Sequence, residues 1–189
     1  MWDALNEFEL SLMNSLNSAI SGDVMDLFLS FMLFLERGAL VWILLTVLLL
    51  FDKRFRRAGY MTSLGLAISL LVAFVILKPV FGRLRPLEFI EGYAIIFPTP
   101  ETYSFPSSPV TIAFAYTAVL WNNVKMLRVP LVLLSAFIAL AEIYVYFSYF
   151  SDVITGIVLG ALCGIITVRL FEKYTIIKPE NNDKSGNLQ

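Results

Sequence analysis

The chain has 189 residues, of which 58% are hydrophobic and 15% charged, with a mean hydropathy of +0.77 and a formal net charge of −1. Such a composition excludes an ordinary water-soluble domain, and the lack of a basic patch interleaved with aromatics excludes nucleic acid as a partner. A single cysteine, Cys163, leaves no disulfide and no cysteine-based metal site, and neither a metal nor another cofactor is expected.

The N-terminus carries Asp3, Glu7 and Glu9 where a cleaved signal would carry basic residues. Residues 4–20 set Leu5, Phe8, Leu12, Leu16 and Ile20 along one helical face, with Asn and Glu opposite, which predicts an amphipathic helix lying in the membrane interface. Ser21-Gly22-Asp23 then opens a short apolar helix that ends at Glu36-Arg37-Gly38; its length leaves open whether it crosses the bilayer. Five apolar runs follow, at 38–51, 58–77, 107–121, 129–150 and 153–168. Two reach the ~20 residues that cross a ~30 Å hydrocarbon core, and because lipid offers no partners to N–H and C=O groups, all must be helices. The expected fold is an all-α integral membrane bundle of five transmembrane helices, six if 23–36 also crosses. It divides into an interfacial helix (1–22), the bundle (23–172) and a polar cytoplasmic tail (173–189). Gly156, Gly160 and Gly164 recur every fourth residue, a spacing for close helix packing within the bundle or in a homodimer.

Orientation follows from charge. The loops "DKRFRR" (52–57) and "NNVKMLR" (122–128) are basic, hence cytoplasmic, and parity puts 78–106 and 148–152 together on the external side. A short chain without a targeting extension points to a prokaryotic inner membrane with its C-terminus in the cytoplasm. Lys78, Arg83, Arg85, Ser104, Ser107, Ser108, Ser148, Ser151 and Asp152 all fall on the external face, with Glu142 one to two turns deeper.

The pattern "KPVFGRLRP" (78–86), followed by "FPSSP" (105–109) and "AEIYVYFSYFSD" (141–152), resembles the three motifs of the type 2 phosphatidic acid phosphatase superfamily of membrane lipid phosphatases, in order and spacing. The resemblance implies phosphate-binding roles for Lys78, Arg85 and Ser107, with Ser108 in the place of the family's glycine, and a retained aspartate, Asp152, that in the family orients a nucleophilic histidine. Where the family has histidine as general acid this chain has Pro109. The third-motif serine is Ala141, the phosphate-clamping arginine is Glu142, and the nucleophilic histidine is Ser148. Glu142 is expected to fill the phosphate site by an internal salt bridge to Arg85 or Lys78, because an unpaired carboxylate in an apolar span is costly.

Two functions follow from this reading. The first is a non-catalytic relative that keeps part of a headgroup pocket, and binds or moves a membrane lipid or associates with a membrane partner. The second is an active lipid phosphatase or phosphotransferase acting on a lipid phosphate monoester with machinery built on Ser148, Asp152, Lys78 and Arg85. Simultaneous loss of both imidazoles and one phosphate cation favours the first, since each acid–base role contributes about 10²-fold or more.

Overall fold

A computed structural model describes residues 3–90 and 102–176. Among these residues every regular element is helical. Helix α1 spans Asp3–Ile20 and α2 spans Asp23–Glu36. The chain then breaks at Gly38 (φ 63°) and Ala39 (φ 58°) before α3, Leu40–Phe51. Two successive left-handed residues cannot belong to a right-handed helix, and Ala39 adopts that conformation without glycine's freedom.

Helix α4 (Arg56–Leu70) continues through a π-helical stretch, Leu71–Leu77, into α5 (Lys78–Phe81), which Gly82 ends with φ 55°. The remaining helices are α6 (Ser108–Asn123), α7 (Arg128–Tyr144) and α8 (Phe150–Ile176). The predicted tail begins later than 173, since α8 runs through Ile176; its residues from 177 onward lie outside the described residues.

Four stretches among the described residues are long and apolar enough to cross a membrane: Asp23–Phe51, Arg56–Phe89, Lys125–Tyr144 and Phe150–Tyr174. Only 28–39% of their most apolar windows is buried, so most of each faces outward, as lipid-facing helices do. Leu44, Phe51, Leu133, Ile154 and Leu162 are each more than half exposed on this surface. The expected third span, 107–121, is not among the four. Its helix α6 has 16 residues, of which ten are buried; at 1.5 Å per residue it is about 24 Å long, and it is apolar on all sides because it is the central strut between α4, α7 and α8.

The glycine stripe of α8 faces α6. A Cβ on Gly156 would stand 2.9 Å from the Ser107 carbonyl oxygen, one on Gly164 would stand 2.6 Å from that of Ala115, and one on Gly160 would collide with that of Thr111. The spacing that suited either the bundle or a dimer is thus used within the bundle.

Two further sequence expectations change. Helix α7 stops at Tyr144 rather than running on to residue 150, because Tyr146 turns left-handed (φ 60°) and the Phe147 and Ser148 N–H groups both donate back to the Glu142 carbonyl, at 3.0 and 3.1 Å. In α1 the polar face turns inward: Asn6 and Glu9 are buried, while Leu5, Phe8 and Leu12 are exposed. Asn17 Nδ2 donates to the Tyr144 carbonyl (3.2 Å), and the Tyr146 hydroxyl donates to Asn14 Oδ1 (2.8 Å), so α1 lies along the end of α7.

Candidate functional site

The three motif segments converge, but onto two different places. The first is a cavity of about 560 Å³ whose buried polar walls are Glu36, Lys78, Arg85, Ser108 and Glu142, with Thr102, Pro109 and the exposed Arg37 beside them. Its apolar walls include Leu33, Ile43, Leu70 and Phe74, the last three 40–48% exposed, so the cavity reaches the lipid-facing surface between α3 and α4.

Each polar group arrives there for a local reason. The π-helical stretch ends one residue before Lys78; its wider turn sets the register of α5, as such stretches do at many functional sites. The Lys78 ammonium donates to the Tyr103 carbonyl. Arg85 follows in extended chain and is fixed by Nε to the Thr102 carbonyl (2.8 Å), a terminal nitrogen to Thr102 Oγ1 (3.0 Å), and the other to the Phe147 carbonyl (2.6 Å). Ser108 begins α6, and its hydroxyl is buried without a hydrogen-bond partner among the described residues. Pro109 sits in the first turn of α6, where its missing N–H costs nothing.

Glu142 takes hydrogen bonds from two hydroxyls, Ser148 Oγ at 2.7 Å and Ser107 Oγ at 3.3 Å. The expected contact ion pair to Lys78 or Arg85 is replaced by these two bonds, while both cations turn to main-chain carbonyls. The tight end of α7 explains this, because it folds Ser148 back over the residue that precedes it by six. Ser107 occupies the N-cap position of α6 but makes no side-chain cap; its hydroxyl instead donates to the Glu142 carboxylate. Ser107 and Ser148 are buried behind Glu142 and contribute nothing to the cavity wall.

The second place is a closed cage around Arg83, a side chain with no exposed surface. Its guanidinium donates to Asn6 Oδ1 (2.7 and 3.0 Å), Glu9 Oε2 (2.7 Å), Ser151 Oγ (2.7 Å) and Asp152 Oδ1, and lies 3.9 Å over the Tyr149 ring. Asp152 is therefore not the base of Ser148: one oxygen serves Arg83, and the other accepts the Tyr149 N–H (2.9 Å) at the start of α8. Glu9 Oε1 also accepts the Ser151 N–H (2.9 Å), so a carboxylate from α1 sits on the positive end of α8. Burial pushes the Tyr149 phenol up to about 12, which keeps it neutral beside this network.

Sequence reasoning missed Glu9, Asn6 and Glu36. The two on α1 belong to a polar face that reads as solvated until a partner is known, and Glu36 marks a helix end. Arg83 alone offered a signal, as a third cation in an external loop.

A membrane-embedded helical bundle with these three motif segments at one end is the architecture of a known class. The chain matches the PAP2 superfamily over residues 59–176 and belongs to it. It is 29% identical over 134 residues to the undecaprenyl-diphosphatase of Sulfolobus acidocaldarius, a match that covers 69% of this chain and 63% of that protein, so it spans less than two thirds of this relative's length. Among solved structures, Aquifex aeolicus LpxE has a TM-score of 0.71 at 27% identity, covering 85% of this chain and 94% of the other. The first transmembrane PAP2 type phosphatidylglycerolphosphate phosphatase from Bacillus subtilis also has a TM-score of 0.71, over 94% of this chain and 89% of its own, but at 18% identity that likeness shows the fold alone.

Proposed function

We propose that the protein binds a membrane lipid by its headgroup and does not hydrolyse it. The observation that carries this reading is the position of Ser148: the residue at the nucleophile's place lies behind Glu142 and off the cavity wall, with its proton committed to that carboxylate. No histidine exists in the chain to take over nucleophile or acid, and Pro109 offers neither a side-chain nor a backbone proton. Lys78, Arg85 and Ser108 supply donors for a headgroup phosphate, and the apolar wall that reaches the surface suits acyl chains. The sequence relative's printed activity, an undecaprenyl-diphosphatase, supports a phosphate-bearing lipid as ligand. We further propose that the cavity opens on the external face of a prokaryotic inner membrane, with loops 52–57 and 122–128 and the C-terminus in the cytoplasm. A C-terminal reporter fusion active only outside the cytoplasm would overturn that orientation if it gave signal.

One observation favours a second reading, an active phosphatase. Ser148 Oγ and Glu142 Oε2 stand 2.7 Å apart, the separation of a nucleophile and its base. Such an enzyme would have to swing Ser148 into the cavity, and a carboxylate is a weak base for an aliphatic alcohol. The deciding experiment is phosphate release by the purified protein from a panel of lipid phosphate monoesters. We expect none above background. Turnover that disappears in Ser148→Ala, Glu142→Gln and Lys78→Ala would establish the enzyme instead.

A further inference from the structure

The cavity carries two buried carboxylates as well as two buried cations, and one carboxylate has nothing to hold. Glu36, at the end of α2, is 7% exposed, lines the cavity, and has no hydrogen-bond or ion-pair partner among the described residues. An acid buried that far without a partner is costly unless something in the cavity satisfies it. Glu142, across the same cavity, is only partly satisfied by two hydroxyls. On the cationic side, Lys78 spends one of its three donors on the Tyr103 carbonyl and Arg85 directs three N–H groups at Thr102 and Phe147, which leaves donors on both. The Ser108 hydroxyl is likewise unpartnered among the described residues.

The formal charge of the four buried ionisable walls sums to zero, from Lys78 and Arg85 against Glu36 and Glu142; a fifth, Arg37, stands exposed at the rim. A dianionic phosphate monoester would meet the cations and leave two carboxylates facing it. A zwitterion meets all four. We propose that the ligand is a phospholipid whose headgroup carries a primary ammonium beside its phosphate, with the phosphate at Lys78, Arg85 and Ser108 and the ammonium between Glu36 and Glu142. A primary ammonium fits better than a quaternary one, because carboxylate oxygens accept N–H hydrogen bonds, whereas methylated ammonium groups are held chiefly by aromatic faces. This inference rests on the headgroup-binding reading above and names the lipid class.

The test is competition among dioleoyl phospholipids for the full-length protein in a mild non-ionic detergent, read as bound-lipid adducts by native mass spectrometry. Phosphatidylethanolamine, phosphatidylcholine, phosphatidylglycerol and phosphatidic acid are offered in equal amounts. Phosphatidylethanolamine should be retained about tenfold over each of the others, the effect of one charge-assisted hydrogen bond. In the isosteric variant Glu36→Gln that preference should vanish while phosphatidylglycerol binding is kept; in Lys78→Met all four lipids should weaken together. The wild-type competition needs no variant to fold, and retained thermal unfolding certifies the variants. Preference for phosphatidic acid or phosphatidylglycerol, equal retention of phosphatidylcholine, or an unchanged preference in Glu36→Gln overturns the ammonium assignment alone. Retention of no lipid overturns the headgroup-binding reading and this inference with it.

Discussion

Arg83 and Arg85 stand two residues apart and have different environments. Arg85 keeps donors toward an open cavity, whereas Arg83 is sealed among Asn6, Glu9, Ser151 and Asp152. Removing its charge would strand two buried carboxylates, so Arg83→Met should cost about 3–5 kcal/mol, seen as a large fall in the thermal midpoint in detergent. Arg83→Lys should recover little of it, because one ammonium cannot reproduce a planar fork that reaches both acids. Ser148→Ala should cost only about 1–2 kcal/mol, one hydrogen bond to a charged group, and leave phosphate release at background. The resemblance to the superfamily motifs marked Lys78, Arg85, Ser107, Ser108 and Asp152, and five of the matched positions, Lys78, Arg85, Ser108, Pro109 and Glu142, line the cavity. Their partners were not legible, because the charge that Asp152 meets is Arg83, 69 positions away in the loop after α5, which no local spacing records.

Among the elements, α8 shows how packing decides between readings that sequence leaves equal. Its glycines meet the backbone of α6, so neither side can move without unseating the central helix. Gly160→Val should lower stability by about 3 kcal/mol or more, at the upper end for overpacking, whereas Ile154→Val on the exposed face of the same helix should change it little. Thermal unfolding of the two variants in one detergent compares them directly, and equal effects would mean the stripe is not a packing surface. Helix existence was plain from hydropathy throughout the bundle. What hydropathy could not separate was a lipid-facing helix from one buried among its neighbours, as for α6, since both are apolar on every side. Nor could it end α7 at Tyr144, because that end is fixed by the left-handed Tyr146 and by the Leu87 N–H donating to the Tyr146 carbonyl (3.0 Å).

At the scale of the whole molecule, a superfamily framework holds a cavity whose buried charges balance, two cations against two acids, where the family pattern would make them positive. Restoring that pattern should restore chemistry: Pro109→His, Glu142→Arg and Ser148→His together should raise phosphate release from a lipid phosphate monoester by about 10²-fold or more over the wild type, one acid–base role's worth at least. The same triple variant should lose any preference for an ammonium headgroup, since Glu142 is one of its two acceptors. Failure to gain any turnover in a variant that still unfolds cooperatively would mean that the framework, and not only three side chains, has departed from the enzyme. The order of motifs and their common face were readable from the chain; the division of that face into an open cavity and a closed cage required the fold. The exposed wall formed by Ile43, Leu70 and Phe74 also fixes what concentration means for this protein. A ligand that enters sideways never passes through water, so occupancy follows the mole fraction of that lipid in the surrounding leaflet. Affinity too weak to register against an aqueous ligand would suffice in a bilayer where the lipid is a major component, and the site would fill or empty as the membrane's composition changes.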